Sequence, residues 1–172
     1  ILNQVEQRGW SISHILLTHT HFDHVGGLSE LKGKSAAPIY AHADAIMMLE
    51  YAPAAAEMWG FSIDPPPPPD MFISDGDIIE IGELRAAVLF TPGHAPGHVC
   101  FYLADRQVLF DGDVLFQGSI GRTDLPGGDY ELLMRSIHDK VMTLPDETAV
   151  LSGHDPATTI GAERYSNPFL LE

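Results

Sequence analysis

A single layered α/β domain is the fold this sequence predicts, and three observations predict it. The chain has 172 residues, enough for one ordinary domain and too few for two comfortable ones. Apolar residues make up 45% and charged residues 19%, the balance of a globular chain rather than a disordered one. Short apolar runs of strand character alternate with stretches of helical spacing, and two pairs of runs read as hairpins. No internal repeat and no linker divides the chain.

The elements follow in order. Leu2, Val5 and Trp10 read as one face of a short helix. Residues 12–17 form a mostly apolar run, a buried strand that ends at the polar cluster of residues 18–24. Residues 25–32 continue as a helix despite Gly26-Gly27, residues 38–41 as a brief strand, and the Ala- and Met-rich residues 43–51 as a helix. Five consecutive prolines, residues 65–69, favour polyproline II and read as a stiff surface connection, the alternative being a ligand for an aromatic groove. Residues 78–81 and 84–90 pair as a hairpin turned at Gly82-Glu83, and residues 99–103 and 108–110 pair around Asp105-Arg106. From Tyr130, Leu133, Ile137, Val141 and Leu144 recur with helical spacing behind an Asp129 N-cap. Residues 150–151 form a last strand and residues 158–165 a last helix.

Charge and cysteine content exclude several classes. The net charge of −15 argues against a nucleic-acid backbone or an anionic membrane surface as partner. No apolar run approaches the ~18–20 residues of a membrane helix. The single cysteine, Cys100, excludes an intrachain disulfide and a Cys-rich zinc finger and agrees with a reducing compartment. A cytoplasmic location is therefore expected.

Nine histidines equal the nine Lys and Arg in number, and they are clustered. Thr18-His19-Thr20-His21-Phe22-Asp23-His24 places three imidazoles and a carboxylate just after an apparent strand. Side chains at a strand end project with a period of two, which suits His19 and His21 converging on one cation. Asp23 and His24 fall on the turn into the next helix, where they can face a second. Imidazole and carboxylate without thiolate favour zinc, iron or manganese. His94 follows Thr91-Pro92-Gly93, Asp111-Gly112-Asp113 follows the strand ending at Phe110, and Ser152-Gly153-His154-Asp155 follows Leu151. Four strand ends thus each deliver His or Asp, where α/β folds commonly carry chemistry. His14, His42 and His138 stand apart and read as structural or surface histidines.

On these motifs the sequence resembles the metallo-β-lactamase fold superfamily. Its signature H-x-H-x-D-H is matched by His19, His21, Asp23 and His24, and its later motifs by His94, Asp113 and His154. The resemblance implies a four-layer αβ/βα sandwich forming one domain over residues 1–172, with further strands ahead of Ile1 that this chain lacks. It implies two divalent metal ions, zinc foremost and iron or manganese as alternatives. His19, His21 and His94 would hold the first, Asp23, His24 and His154 the second, and Asp113 would bridge them. Asp111 and His98 would support the ligands from behind. Ser152 and Asp155 stand where the short members of the family have Pro and Gly.

Residues 121–129 and 158–164, with Asn167-Pro168-Phe169, resemble the short single-domain glyoxalase II-like hydrolases of bacteria. The activity this implies is thioester hydrolysis, S-D-lactoylglutathione to D-lactate and glutathione, by a hydroxide held between the metals. Asp23 and Asp113 would be the catalytic carboxylates. Arg122 would grip a carboxylate of the small-molecule thioester, or else form an internal ion pair with Asp124 or Asp129. The alternatives are a single-iron persulfide dioxygenase of the same fold and a non-catalytic metal-binding domain.

Overall fold

Side chains on the longer strands alternate between two apolar layers, and this period of two is what stacks the molecule. The computed structural model describes residues 1–171; Glu172, the last position of the expected domain, lies outside the described residues. The chain begins α1 (Leu2–Arg8), β1 (Ile15–Leu16), α2 (Phe22–Val25), α3 (Leu28–Lys34) and β2 (Ile39–His42). A 3-10 turn, Ala43–Ala45, leads into α4 (Ile46–Met58), followed by β3 (Met71–Ile73), β4 (Ile78–Ile81), β5 (Leu84–Phe90) and β6 (Val99–Leu103). Then come β7 (Val108–Gly112), β8 (Leu115–Phe116), β9 (Ser119–Ile120), α5 (Tyr130–Asp139), β10 (Ala149–Ser152), β11 (Thr158–Thr159) and α6 (Ile160–Ser166).

Two sheets result. The first has the order β1-β2-β3, all neighbours parallel. The second has the order β11-β10-β7-β6-β5-β4, antiparallel apart from the β7 and β10 pair. On β6, Val99 and Phe101 face the layer between the sheets, beside Ala86, Val88, Ile79 and Ile73, with Leu16 and Tyr40 of the first sheet packed against them. Cys100 and Tyr102 point the other way, towards Leu133 and Ile137 of α5 and Ile160 of α6. On the first sheet, Ile15, Ile39 and Ala41 turn to Val25, Leu28, Leu49 and Ala52 of the helices α2, α3 and α4. Helix, sheet, sheet, helix is the four-layer αβ/βα order expected. Each fully buried Leu or Ile in these layers contributes about 1.5–3 kcal/mol, so packing holds the short strands in place where propensity alone would not.

The structure redraws several elements. Gly26-Gly27 interrupts the helix expected at residues 25–32 and splits it into α2 and α3, since glycine in a helix interior costs about 0.5–1 kcal/mol. Of residues 43–51, the first three form the 3-10 turn and only 46–51 belong to α4, which runs on through Pro53 to Met58. The strands β3, β8, β9 and β11, two or three residues each, carry too little periodicity to be read beforehand. Helix α5 is capped by the Asp129 carboxylate, which accepts from the Leu132 amide at 2.9 Å. It stops at Asp139, and Val141–Thr143 forms a 3-10 turn instead. α1 forms as expected but buries no residue; Trp10 lies exposed with the Arg8 guanidinium 4.8 Å from its ring. The prolines 65–69 connect α4 to β3 without regular structure, tied by the Ser29 hydroxyl donating to the Pro65 carbonyl at 2.7 Å.

Topology then gathers the site. β5 and β7 are each antiparallel to β6, and β10 is parallel to β7, so β5, β7 and β10 end on one edge of the sheet. β6 begins at that edge, and its Val99 amide donates to the Thr18 carbonyl at 2.8 Å. That bond brings the end of β1 to the same place.

Candidate metal centre

The loop from β1 to α2 alternates between anchoring and presenting. The Thr20 hydroxyl donates to the Ala45 carbonyl at 2.8 Å, while His19 and His21 on either side turn towards the common edge. His21 is the N-cap of α2, and Asp23 and His24 lie in that short helix. The His94 loop is pinned by α5: the Asp129 amide donates to Gly93 O at 2.7 Å, and the Ser136 hydroxyl to the Pro92 carbonyl at 2.6 Å. Gly93 has φ +130°, and a Cβ there would lie 2.2 Å from the Leu133 amide nitrogen. Only glycine allows this approach. His94 donates through Nδ1 to the Arg122 carbonyl at 2.8 Å, which leaves its Nε2 lone pair facing the cluster.

All seven residues singled out from the sequence come together. They form three overlapping triads, His19 with His21 and His94, His19 with His24 and Asp113, and Asp23 with His24 and His154, whose ligand-type atoms lie within 4.8 Å of one another. Asp113 stands between the groups: its carboxylate oxygens lie 3.6 Å from His24 Nε2, 3.6 Å from His94 Nε2 and 3.5 Å from His154 Nε2. His154 Nε2 is also 3.2 Å from Asp23. His14, His42 and His138 lie elsewhere, as expected: His14 stacks on Tyr40, His42 on Phe90, and His138 is an exposed residue of α5.

The residues fit a metal on three counts. His19 Nε2, His21 Nε2 and Asp113 Oδ1 are buried with no hydrogen-bond partner, a costly state for a polar atom unless something else satisfies it. Ring nitrogens face one another at 3.0 Å between His94 and His21 and at 3.2 Å between His24 and His154. Space is reserved as well, because a Cβ on Gly153 would lie 2.4 Å from Asp113 Oδ1 and 2.6 Å from His24 Cε1. Burial holds His21 down to about 4 and His19 well below the usual imidazole range, which keeps both rings neutral, the form that ligates. Burial works the same way on His24, but hydrogen bonding to Asp113 and the charges of Asp113 and Asp23 outweigh it and raise its pKa.

His98 and Asp111 support the centre from behind. His98 Nε2 accepts from the Asp113 amide at 3.1 Å while Nδ1 donates to the Thr91 hydroxyl at 3.0 Å, and its ring stacks on His19 at 5.0 Å. Burial pushes His98 down to about 3. Asp111 is buried, accepts from the Leu115 amide at 2.6 Å and is pushed up to about 7, chiefly by burial. Neither belongs to a triad. Asp155, where the family resemblance calls for glycine, has φ +63°, a left-handed conformation that Asp tolerates better than most residues. The Ser152 hydroxyl donates to the His154 carbonyl and closes the same turn.

A cavity of about 600 Å³ opens beside the cluster. His21, Asp23, His94, Asp113 and His154 form part of its wall, and so do Ser119, Arg122, Leu125 and Pro126. Arg122 is exposed and paired in bidentate fashion with Asp124, at 2.7 and 2.8 Å, while Asp129 is spent on capping α5. Sequence reasoning did not anticipate the α4 residues of the cavity, Met48, Tyr51, Ala55 and Met58. Their signal is a second apolar stripe beside the core-facing one.

Among relatives, the chain is 44% identical over 172 residues to "Probable metallo-hydrolase YqgX" of Bacillus subtilis, covering 98% of this chain and 81% of that protein. It is 40% identical over 172 residues to "Hydroxyacylglutathione hydrolase GloC" of Haemophilus influenzae, covering 99% and 81%. Its fold superposes on the crystal structure of TTHA1623 in a di-iron-bound form with a TM-score of 0.91 at 42% identity, covering 98% of this chain and 83% of that one. No helix among the described residues is long and apolar enough to cross a membrane. The family model of the Metallo-beta-lactamase superfamily matches residues 1–154, from α1 to the last histidine of the cluster. With the sandwich and the His and Asp cluster in place, the chain belongs to the metallo-beta-lactamase superfamily and is a metal-dependent hydrolase of that superfamily.

Proposed function

We propose that the centre holds two divalent cations and hydrolyses a thioester in the manner of glyoxalase II, converting S-D-lactoylglutathione to D-lactate and glutathione. The observation that carries this reading is the position of Asp113, within 3.6 Å of His24, His94 and His154 together, where one carboxylate serves both ligand sets. His19, His21 and His94 would hold one cation, and Asp23, His24 and His154 the other. Zinc is the foremost candidate, with iron and manganese as alternatives, and such a pair supplies a Lewis acid for a carbonyl oxygen and a water acidic enough to attack near pH 7.

The chain's own residues do the rest. Asp23 is exposed at the cavity wall and orients the attacking water through its free carboxylate oxygen. Asp113 fixes the spacing of the two sets, held in turn by His98. A thiolate leaving group, with a pKa near ~8.5, departs without a dedicated acid. Arg122 exchanges Asp124 for a carboxylate of the thiol carrier, to which its planar fork is matched. The 40% identity to GloC over 99% of the chain supports the substrate class.

The test is a pair of assays on protein of known metal content. Hydrolysis of S-lactoylglutathione at two metals per chain is expected. Oxygen consumption with glutathione persulfide at one iron per chain would replace this reading with a dioxygenase, and neither activity at full metal loading would replace it with a non-catalytic metal-binding domain.

A further inference from the structure

Helix α4 is apolar on two faces. Leu49, Ala52 and Ala56 are its buried residues, and Leu49 and Ala52 pack in the layer against the first sheet. One residue round the helix, Met48, Tyr51, Ala55 and Met58 form a second stripe at spacings of three and four. This stripe and Trp59 line the cavity beside the metal ligands. Phe22 continues the wall, and the Phe61 ring stacks on it at 5.9 Å. The Tyr51 hydroxyl donates to Met58 Sδ at 3.1 Å, so even the polar tip of the tyrosine is turned along the helix.

Met58 is 76% exposed, Trp59 58% and Tyr51 41%. A helix face turned to water ordinarily carries polar residues, and contiguous apolar surface of this kind marks a binding site. The wall is continuous with His21, Asp23, His94, Asp113 and His154 around one cavity, so a group lying on it stays joined to the reacting atoms. Among the described residues, Arg122 is the one Lys or Arg side chain that lines this cavity, and Asp124 already engages it. The volume, about 600 Å³, lies within the range that encloses most of a small organic ligand. A short hydroxyacyl group has little aliphatic surface to set against five apolar side chains.

We propose that the α4 wall binds an apolar arm of the substrate, so that the centre favours thioesters carrying an aliphatic chain of about four to eight carbons or an aryl ring. This rests on the thioester reading and ranks the acyl groups within it: lactoyl is hydrolysed, and longer apolar acyl groups are bound more tightly. A methylene buried completely strengthens binding roughly threefold to fourfold. On this open wall, where each stays more than half in water, the gain is about 1.6- to 1.8-fold, so that four or five of them together give about tenfold.

The probes are S-hexylglutathione and S-methylglutathione, which carry no cleavable acyl bond. Their binding to the zinc-loaded protein is followed by tryptophan fluorescence and calorimetry. The hexyl compound should bind at least about tenfold more tightly than the methyl compound. In Trp59→Ala and Met58→Ser, both at exposed positions whose loss spares the core, the ratio should fall to about threefold or less. Equal affinities, no binding of either compound, or a ratio that survives both substitutions would overturn the α4 assignment, even in a protein that hydrolyses S-lactoylglutathione. With hexanoylglutathione and acetylglutathione as substrates, kcat/KM should favour the hexanoyl ester by about tenfold. Tight hexyl binding without hydrolysis of any thioester would instead contradict the proposed reaction and leave the apolar subsite standing.

Discussion

At Gly153 the chain passes so close to the cluster that a methyl group has nowhere to go: Asp113 Oδ1 is 2.4 Å and His24 Cε1 2.6 Å from where it would stand. The Asp113 amide is held by His98 and the His24 ring packs against His19, so Gly153→Ala forces ligands apart and costs about 1–3 kcal/mol in strain. The expected outcome is a protein with wild-type far-ultraviolet circular dichroism that retains less metal after dialysis; wild-type metal content in the variant would show that the Gly153 turn does not set the ligand spacing. Arg122 poses the opposite case, an exposed side chain with two uses. Arg122→Ala should raise KM for a glutathione thioester about tenfold with kcat little changed, and leave a neutral thioester nearly indifferent. Equal losses on both substrates, or a melting temperature that falls with activity, would make the pair with Asp124 at 2.7 Å a scaffold for the loop. The seven ligand-type residues were legible in the sequence because chemistry restricts their type and strand geometry restricts their spacing. The Arg122 pairing was legible only as one of two options, since a salt bridge two residues apart leaves no periodic trace.

Helix α5 reaches the site only through the loop it holds. Its Asp129 cap, the Ser136 bond to Pro92 and the contact of Leu133 on Gly93 together set where His94 stands. Asp129→Ala removes the acceptor for the Leu132 amide and should cost about 1 kcal/mol, a fall of roughly 2–4 °C in a chain of this size. Asp129→Asn should recover most of that, because Asn caps nearly as well; equal melting temperatures for wild type and Asp129→Ala would show that the cap is not what holds this helix start. That cap, the hairpin of β4 and β5 and the α5 stripe were readable in advance because local chemistry and periodicity decide them. The strands β3, β8, β9 and β11 were not, because two or three residues carry too little alternation to show, and pairing decides them: β3 with the distant β2, β8 with its neighbour β9, and β11 with β10 just before it. The second face of α4 was missed for a related reason. An apolar residue beside a core stripe reads as more core until a neighbouring cavity shows otherwise.

Across the whole molecule, the two sheets meet through an apolar layer while their strand ends bring five histidines and two aspartates to one point. Buried ring nitrogens without partners make that point costly when bare, so metal binding and folding are coupled. A ligand held at a thousand times its dissociation constant stabilises by about 4 kcal/mol, which for a domain of this size corresponds to on the order of 10 °C. Exhaustive chelation should lower the melting temperature by about that much, and readdition of zinc should restore it; identical melting curves with and without chelator would mean that the cluster does not act as one site. The central claim, that Asp113 joins two complete ligand sets, is tested most directly by native mass spectrometry of protein reconstituted with excess zinc and then desalted. The expected species carries two metal ions per chain, falling to one or none in Asp113→Ala. A wild-type protein that saturates at a single ion would contradict it.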